Sequence, residues 1–437
     1  MNQENKKTIK LLANGIAGNL LEWFDFAVYG FFAVIIGKNF FPKEDPVAQV
    51  IAAFGIFAMG FLMRPVGGIL LGIIGDRYGR QRAMLISVAA MAIPTFLVGV
   101  LPTYASIGIA APLLLLLLRM IQGLSVGGEY TTSIVYMVEH CNPKHRGMIG
   151  SFATIGAVAG ILLGSAFGSF LASSMSAQDL QEWGWRIPFL TGIVLGLAGL
   201  FLRRDPHNSP PETQVTHNPL KMALSKHRKV MLQVAGMTLM VSTVFYLIFV
   251  YLVTWLETVD RVAPSLALEI NTISMAILLP IMLGAGALSD KVSPRLIMLI
   301  SAGFTVLCAL PLFWFMQSSD LLHVTLGQIG FALLIGTYLG VLPAYMVQAI
   351  EPEVRCTAAG LSYNFTVGIV GGLTPMVATW LVSKYSNLSP AYMVIVAALI
   401  SFYALLTMHN RKHADDGAKS EVSDSNKPIS CSATIGL

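Results

Sequence analysis

Charge is what this 437-residue sequence has least of: 12% of its residues are Asp, Glu, Lys or Arg, about half the ~25% usual for a soluble domain. With 55% of residues hydrophobic, such a chain has too few polar groups to cover a globular surface, so lipid must be its solvent. Cysteine is scarce too. Cys141, Cys308, Cys356 and Cys431 are scattered and form no C-x-x-C pair, which argues against a disulfide framework or a metal site and leaves them as packing residues. No nucleophile, metal or nucleotide motif is present, so the chain is not read as an enzyme. No small-residue cleavage site follows the first apolar stretch, which itself carries Glu22 and Asp25, so no cleavable signal peptide is expected. The net charge of +5 is explained better by an unequal distribution across a membrane than by a nucleic-acid partner. The polar tail from Arg411 onward lacks the heptads of a coiled coil.

Long apolar runs fill the rest. Stretches near 13–36, 50–74, 83–101, 109–136, 148–172, 186–202, 230–255, 267–288, 296–316, 324–349, 357–382 and 391–408 each approach or exceed the ~20 residues a helix needs to cross the hydrocarbon core. They lack the alternating period of a barrel strand, so helices are expected, and their glycines let neighbouring backbones approach closely. Two recurrences divide the twelve spans into two sets of six. Gly72-Ile-Ile-Gly-Asp76-Arg77-Tyr-Gly79-Arg80-Gln-Arg82 returns as Gly286-Ala-Leu-Ser-Asp290-Lys291-Val-Ser-Pro-Arg295, and Pro143-Lys-His-Arg146-Gly147 returns loosely as Pro352-Glu-Val-Arg355, each about half the chain later. An interval of that size means repeated domains.

The expected architecture is all-α and membrane-embedded. Residues 1–202 form an N-terminal six-helix bundle, 203–229 a proline-rich basic linker, 230–410 a C-terminal six-helix bundle and 411–437 a disordered tail. An even number of spans puts both termini on one side. The segments on that side hold 21 Lys and Arg against five on the other, so both ends, the linker and the tail are expected in the cytoplasm.

The two remaining basic residues, Arg64 and Arg119, fall inside spans, as do Glu22, Asp25 and Glu129. Each would cost at least ~2.5 kcal/mol facing lipid, so they must face a cavity or each other. No comparable charge is expected inside a C-terminal span. Glu22, Asp25 and Tyr29 stand at i, i+3 and i+7 on one face of the first helix, and Arg119, Gln122 and Glu129 make a second polar stripe on the fourth. A carboxylate that loses its arginine as a cavity opens can carry a proton; Asp25 with Arg119, and Glu22, are the candidates for that coupling. A static pair that fixes helix packing would look the same, and Glu22 serves equally as a cap on the cavity floor. Arg64, in Met63-Arg64-Pro65 where proline weakens the helix, either holds a substrate carboxylate bidentately or balances Glu22 or Asp25. Glu129 either recognises an ammonium or satisfies a neighbouring helix. Tyr29 and Gln122 are further substrate-contact candidates. In the C-terminal half Tyr246, Tyr338, Tyr363 and Asn364 are the groups offered to a cavity, with Tyr251, Trp255, Tyr345 and Gln348 behind them; packing explains each singly as well. Asp76, Arg77, Arg80, Arg146, Asp290 and Arg355 read as a cytoplasmic gate that ties helices by charge-assisted hydrogen bonds and a helix-end dipole. Retention of positive charge inside is the plain alternative for these arginines.

On these residues the sequence resembles the major facilitator superfamily, whose inter-helix loop signature G-x-x-x-D-R-x-G-R-x-R is matched by Gly72, Asp76, Arg77, Gly79, Arg80 and Arg82. Gly18-Asn-Leu-Leu-Glu22-Trp23-Phe-Asp25-Phe, Gly60-Phe-Leu-Met-Arg64-Pro65-Val-Gly67-Gly68, the run from Arg119 to Tyr130 and Trp183-Gly-Trp185-Arg186-Ile-Pro188-Phe are similar to its metabolite:proton symporters, which include proline/betaine, alpha-ketoglutarate, citrate and shikimate permeases. The resemblance implies proton-driven uptake of a small carboxylate or zwitterion by alternating access, with the substrate near the midplane between two six-helix halves. It also implies a monomer of the bacterial inner membrane whose partners are substrate, protons and lipid, with no cofactor beyond the proton as coupling ion. Arg119 in place of a lysine leans toward carboxylate transporters. The tail without a coiled coil leaves osmotic regulation by that route unsupported, and Lys291 with Ser293-Pro294 implies a looser second gate. An exporter of drugs or siderophores shares the architecture but would carry an apolar cavity in place of paired charges. A non-transporting sensor would need a partner domain, for which linker and tail leave little room.

Overall fold

The computed structural model describes residues 12, 16, 19–30, 32–42, 46–202, 219–252, 255–256, 264–318 and 320–408. Regular structure among them is helical. The first half is built from α1 (residues 19–30), α2 (Pro46–Tyr78), α3 (Arg80–Val100), α4 (Ala110–His140), α5 (Arg146–Ser174) and α6 (Ile187–Leu202). The second is built from α7 (Arg228–Tyr246), α8 (Pro264–Ser289), α9 (Pro294–Met316), α10 (Leu321–Ala349), α11 (Arg355–Phe365) and α12 (Ser389–Thr407). A π-helical turn, Leu247–Tyr251, extends α7, and a second, Thr366–Gly371, carries α11 on into Gly372–Lys384. Among the described residues ten helices are long and apolar enough to cross a membrane. The first and sixth expected spans are occupied by α1, followed by a short helix Ala33–Phe40, and by the 16-residue α6.

Close backbone approach holds these helices, as it must where lipid offers no hydrophobic drive between them. A Cβ on Gly123 would fall on the backbone of Gly60, one on Gly67 on that of Leu124, and one on Gly127 on the carbonyl of Arg64, which fuses α2 to α4. The two halves meet where α2 lies against α11 and where α5 lies against α8 and α10. Glycine shapes this junction also: a Cβ on Gly72 would lie 2.8 Å from Thr357 Cα, and one on Gly286 2.9 Å from the Gly147 carbonyl.

Three expectations are revised. The charged motif at 72–82 is not a loop, because α2 runs on to Tyr78 and α3 begins at Arg80. Gly79 alone, with φ +94°, makes the break, a conformation that an L side chain resists. The expected linker is partly helical at Pro219–Lys226, a segment that packs with buried Ala223 against α11 and the end of α2; its remainder, 203–218, and the tail 411–437 lie outside the described residues. The spans expected for the C-terminal half do contain a charge, Glu269 in 267–288, and that residue is exposed near the start of α8.

Candidate functional site

The polar stripes of α1 and α4 meet in the interior of the first half. Asp25 and Arg119 are both at most 1% exposed, and Arg119 Nη1 donates a short hydrogen bond to Asp25 Oδ2. Gln122 Nε2 donates to Asp25 Oδ1 at 3.1 Å and to Thr95 Oγ1 at 2.8 Å. The guanidinium also lies 3.8 Å from the centre of the Tyr29 ring, a cation–π contact, and the Tyr29 hydroxyl donates to the Ala53 carbonyl at 3.0 Å. Tyr29 is thereby a platform for Arg119. Thr95, which sequence reasoning did not single out, anchors Gln122 and donates to the Met91 carbonyl at 2.8 Å.

Arg64 is placed differently. It is 1% exposed, flanked by the rings of Trp23 at 5.7 Å and Phe61 at 5.6 Å, and its Nε donates to Asn364 Oδ1 of α11 at 3.4 Å. Its two terminal nitrogens meet no hydrogen-bond acceptor among the described residues, and the Tyr246 hydroxyl is likewise unsatisfied there. Glu22, also 1% exposed, lies within electrostatic reach of Tyr130 and Tyr246, as Arg64 does.

Trp23 and Phe61 form part of the wall of a cavity of about 310 Å³ between the halves, completed chiefly by Phe26, Phe57, Phe245 and Tyr246. Gly368 and Gly372, in and after the π-turn of α11, leave room on its far side. A smaller space of about 40 Å³ adjoins it, bounded by Tyr130, Thr154 and Tyr363. There the Tyr130 and Tyr363 rings stack at 4.7 Å, and Tyr130 and Thr154 share a hydroxyl hydrogen bond of 2.8 Å. Both π-turns border the cavity, in keeping with the frequent occurrence of such turns at functional sites. The apolar wall residues Phe57, Phe61 and Phe245 were not legible as a group.

About 18 Å along α2 from Arg64, the end that carries the charged motifs is closed. Asp76, 3% exposed, accepts from the backbone N–H of Cys356 at 3.2 Å and of Thr357 at 2.9 Å and from the Thr357 hydroxyl at 2.6 Å. It therefore caps the N-terminus of α11, where the helix dipole favours a negative charge. Arg80 pairs with Asp76 at 3.2 Å and with Glu139 at 3.3 Å and donates to the Pro352 carbonyl at 2.8 Å. Arg355 meets the other oxygen of Glu139 at 2.8 Å. The second motif repeats the device across the pseudo-twofold: Asp290 accepts from the N–H groups of Gly147 at 2.6 Å and Met148 at 3.0 Å and so caps α5. Arg146 opens α5 within electrostatic reach of Cys141.

Of the expected substrate contacts, Tyr246 and Tyr363 line a cavity, whereas Tyr29, Arg64, Gln122, Tyr338 and Asn364 line neither. The Tyr338 hydroxyl donates to the Met237 carbonyl at 2.7 Å in a fully buried setting, and the ring lines neither cavity. Its role is to hold α10 to α7. Arg77 is exposed and makes none of the gate contacts described above. The side chain of Glu129 lies outside the described residues. Arg186, from the Trp183–Phe189 motif, donates to the carbonyls of Gly99 and Leu101 at 2.9 and 2.8 Å and caps the end of α3, as a cation at a helix C-terminus should.

The sequence profile of the Major Facilitator Superfamily matches residues 16–375. The chain is similar to the proline/betaine transporter of Salmonella typhimurium, 33% identical over 424 residues that cover 93% of this chain and 84% of that one. It is 32% identical to the proline/betaine transporter of Escherichia coli over the same length and coverage. Among solved structures, the proton:xylose symporter XylE bound to 6-bromo-6-deoxy-D-glucose shares the fold with a TM-score of 0.76, at 18% identity and with 93% of this chain and 96% of that one covered. With the doubled helix caps, the two halves and a profile match over most of its length, this multi-pass membrane protein belongs to the major facilitator superfamily and has its twelve helices in two pseudo-symmetric six-helix bundles.

Proposed function

We propose that the chain is a proton-coupled symporter that imports a small zwitterion of the proline or betaine kind. The observation that carries this reading is Arg64: a buried guanidinium behind an aromatic wall, with two nitrogens that meet no acceptor among the described residues. A carboxylate would bind those nitrogens as a bidentate pair. The cationic end of the same molecule would lie against the faces of Trp23, Phe26, Phe57 and Phe61, where a desolvated cation–π contact contributes about 2 kcal/mol. A di- or tricarboxylate would bring more negative charge than one guanidinium offsets, so the lean toward carboxylates drawn from Arg119 gives way, and the names of the relatives point the same way. The exporter reading expected an apolar cavity in place of paired charges; here an aromatic wall stands in front of them.

Asp25 is the coupling residue in this reading. Protonation removes the charge that holds Arg119 and Gln122, so one proton changes the packing of α1 against α4. The segments 1–202 and 230–410 rock as bodies about the cavity, linked through 203–229. The basic end is cytoplasmic by the distribution of Lys and Arg, so the capped state is closed inward, both termini are inside, and the bacterial cytoplasmic membrane is the location. The residues that line the cavity all come from one chain, so a monomer is the simplest assembly. The test is uptake of labelled glycine betaine and proline into proteoliposomes, with ketoglutarate and citrate in parallel. An inward proton gradient should drive accumulation of the zwitterions. Accumulation indifferent to the gradient refutes the coupling, and accumulation of ketoglutarate without betaine refutes the substrate class.

A further inference from the structure

Asn364 lies on α11, in the half opposite Arg64, and is 0% exposed. Its amide is used at both ends. Oδ1 accepts from Arg64 Nε at 3.4 Å, while Nδ2 donates to the Gly127 carbonyl of α4 and, at 2.8 Å, to the Gly360 carbonyl of its own helix. One side chain thus joins α2, α4 and α11 at membrane depth, where no water replaces a lost partner. The seam around it is backbone against backbone: a Cβ on Gly68 would lie 2.7 Å from the Gly360 carbonyl and 2.9 Å from Asn364 Nδ2. From Asn364 to the Asp76 contacts, about 10 Å along α11, closure depends on the polar groups at the two ends of that stretch.

We propose that Asn364 is a positioning residue that transmits the occupancy of Arg64 to the α2–α11 seam, a proposal that rests on a substrate carboxylate binding Arg64. The guanidinium has only donors and the two carbonyls only acceptors, so together they fix which way round the amide lies: oxygen toward Arg64, NH2 toward Gly127 and Gly360. A carboxylate that takes Arg64 bidentately draws the guanidinium toward the cavity and away from Oδ1. The amide oxygen then loses its partner at membrane depth, the direct side-chain tie between α11 and α2 is broken, and the seam loosens toward the capped end. Arrival of substrate is in this way converted into release of the closed face.

Cys356 is a native reporter of that release, since it is 0% exposed in the seam with its Sγ 3.2 Å from the position of a Cβ on Gly75. The full chain with Cys141→Ser, Cys308→Ser and Cys431→Ser is reconstituted, alkylation of Cys356 by N-ethylmaleimide is timed, and glycine betaine binding is followed separately by calorimetry. In this parent, saturating betaine should speed labelling several-fold. Asn364→Ala should raise the ligand-free rate about tenfold and abolish the response to betaine, while betaine affinity stays within a few-fold. Parental labelling in Asn364→Ala, or faster labelling that still responds to betaine as the parent does, overturns the proposal. Should the alanine variant fail to fold, Asn364→Ser carries the same test. A parent that binds no betaine refutes the functional reading instead, and the ligand-free rates of the variants still decide whether Asn364 holds the seam.

Discussion

Replacing Asp76 by asparagine removes the charge that fastens the end of α2 to the start of α11. The carboxylate accepts three hydrogen bonds, of 2.6, 2.9 and 3.2 Å, and pairs with Arg80 at 3.2 Å. An asparagine keeps one acceptor oxygen and turns an NH2 toward the other donors. The loss is at least one charge-assisted hydrogen bond, ~1.5–3 kcal/mol, and the interaction with the helix N-terminus, ~0.3–2 kcal/mol; the neutral amide is cheaper to bury, which returns part of this. A net of about 2–3 kcal/mol shifts the ratio of closed to open molecules roughly 30- to 160-fold. Spin labels at the exposed positions Tyr78 and Glu353, read by electron–electron double resonance, should move from a single short distance to a mixed or long distribution. Asp290→Asn, where the carboxylate holds two backbone N–H groups and no hydroxyl and the amide keeps an acceptor for one of them, should produce the same change at its own junction with a smaller amplitude, about 1–2 kcal/mol. Unaltered distances in a folded, monodisperse Asp76→Asn protein would refute the latch and leave only a topological role for these charges.

Asp25→Asn should abolish accumulation driven by a proton gradient while substrate counterflow across the same liposomes persists, because the neutral amide mimics the protonated state; retained accumulation would remove Asp25 from the coupling step. Arg64→Ala should weaken betaine binding by at least ~30-fold, the cost of losing one partner of a buried charge pair, and Arg64→Lys should recover only part of it in calorimetry. Gly127→Ala should lower thermal stability by about 1–3 kcal/mol through overpacking, since its Cβ falls on the Arg64 carbonyl; an unchanged melting temperature would contradict the fused α2–α4 pair. Tyr338→Phe should cost about 1 kcal/mol of stability with transport unchanged, and a selective loss of uptake would return Tyr338 to the substrate site.

The meeting of Asp25, Arg119 and Gln122 was legible because charges in a span are costly and helical spacing assigns each to a face. The gate aspartates were legible as a repeated motif, but most of what they bind was not: beside Arg80 and the Thr357 hydroxyl on Asp76, their partners are backbone N–H groups of Cys356, Thr357, Gly147 and Met148, which any sequence would supply. Glu139, which takes both Arg80 and Arg355, was missed because a carboxylate at a helix end looks like an ordinary solvated charge. Tyr338 misled for the converse reason, since a tyrosine in a span advertises a hydroxyl without saying which carbonyl takes it. The continuity of α2 through the motif was hidden as well, because eleven residues rich in glycine and charge read as a loop until Gly79 is known to carry the whole turn. The aromatic wall combines α1, α2 and α7, and helical periodicity within one segment says nothing about rings brought together from three.

The glycine seam between α2 and α11 bears on how fast such a molecule can cycle. An interface of long side chains would freeze rotamers each time it closed, at up to ~2 kcal/mol apiece, and every opening would have to search for them again. Gly68, Gly72 and Gly360 have no rotamers to lose. Closing and parting are then nearly free of side-chain ordering, the two surfaces re-register by shape alone, and turnover is timed by the few polar fastenings at the ends of the seam.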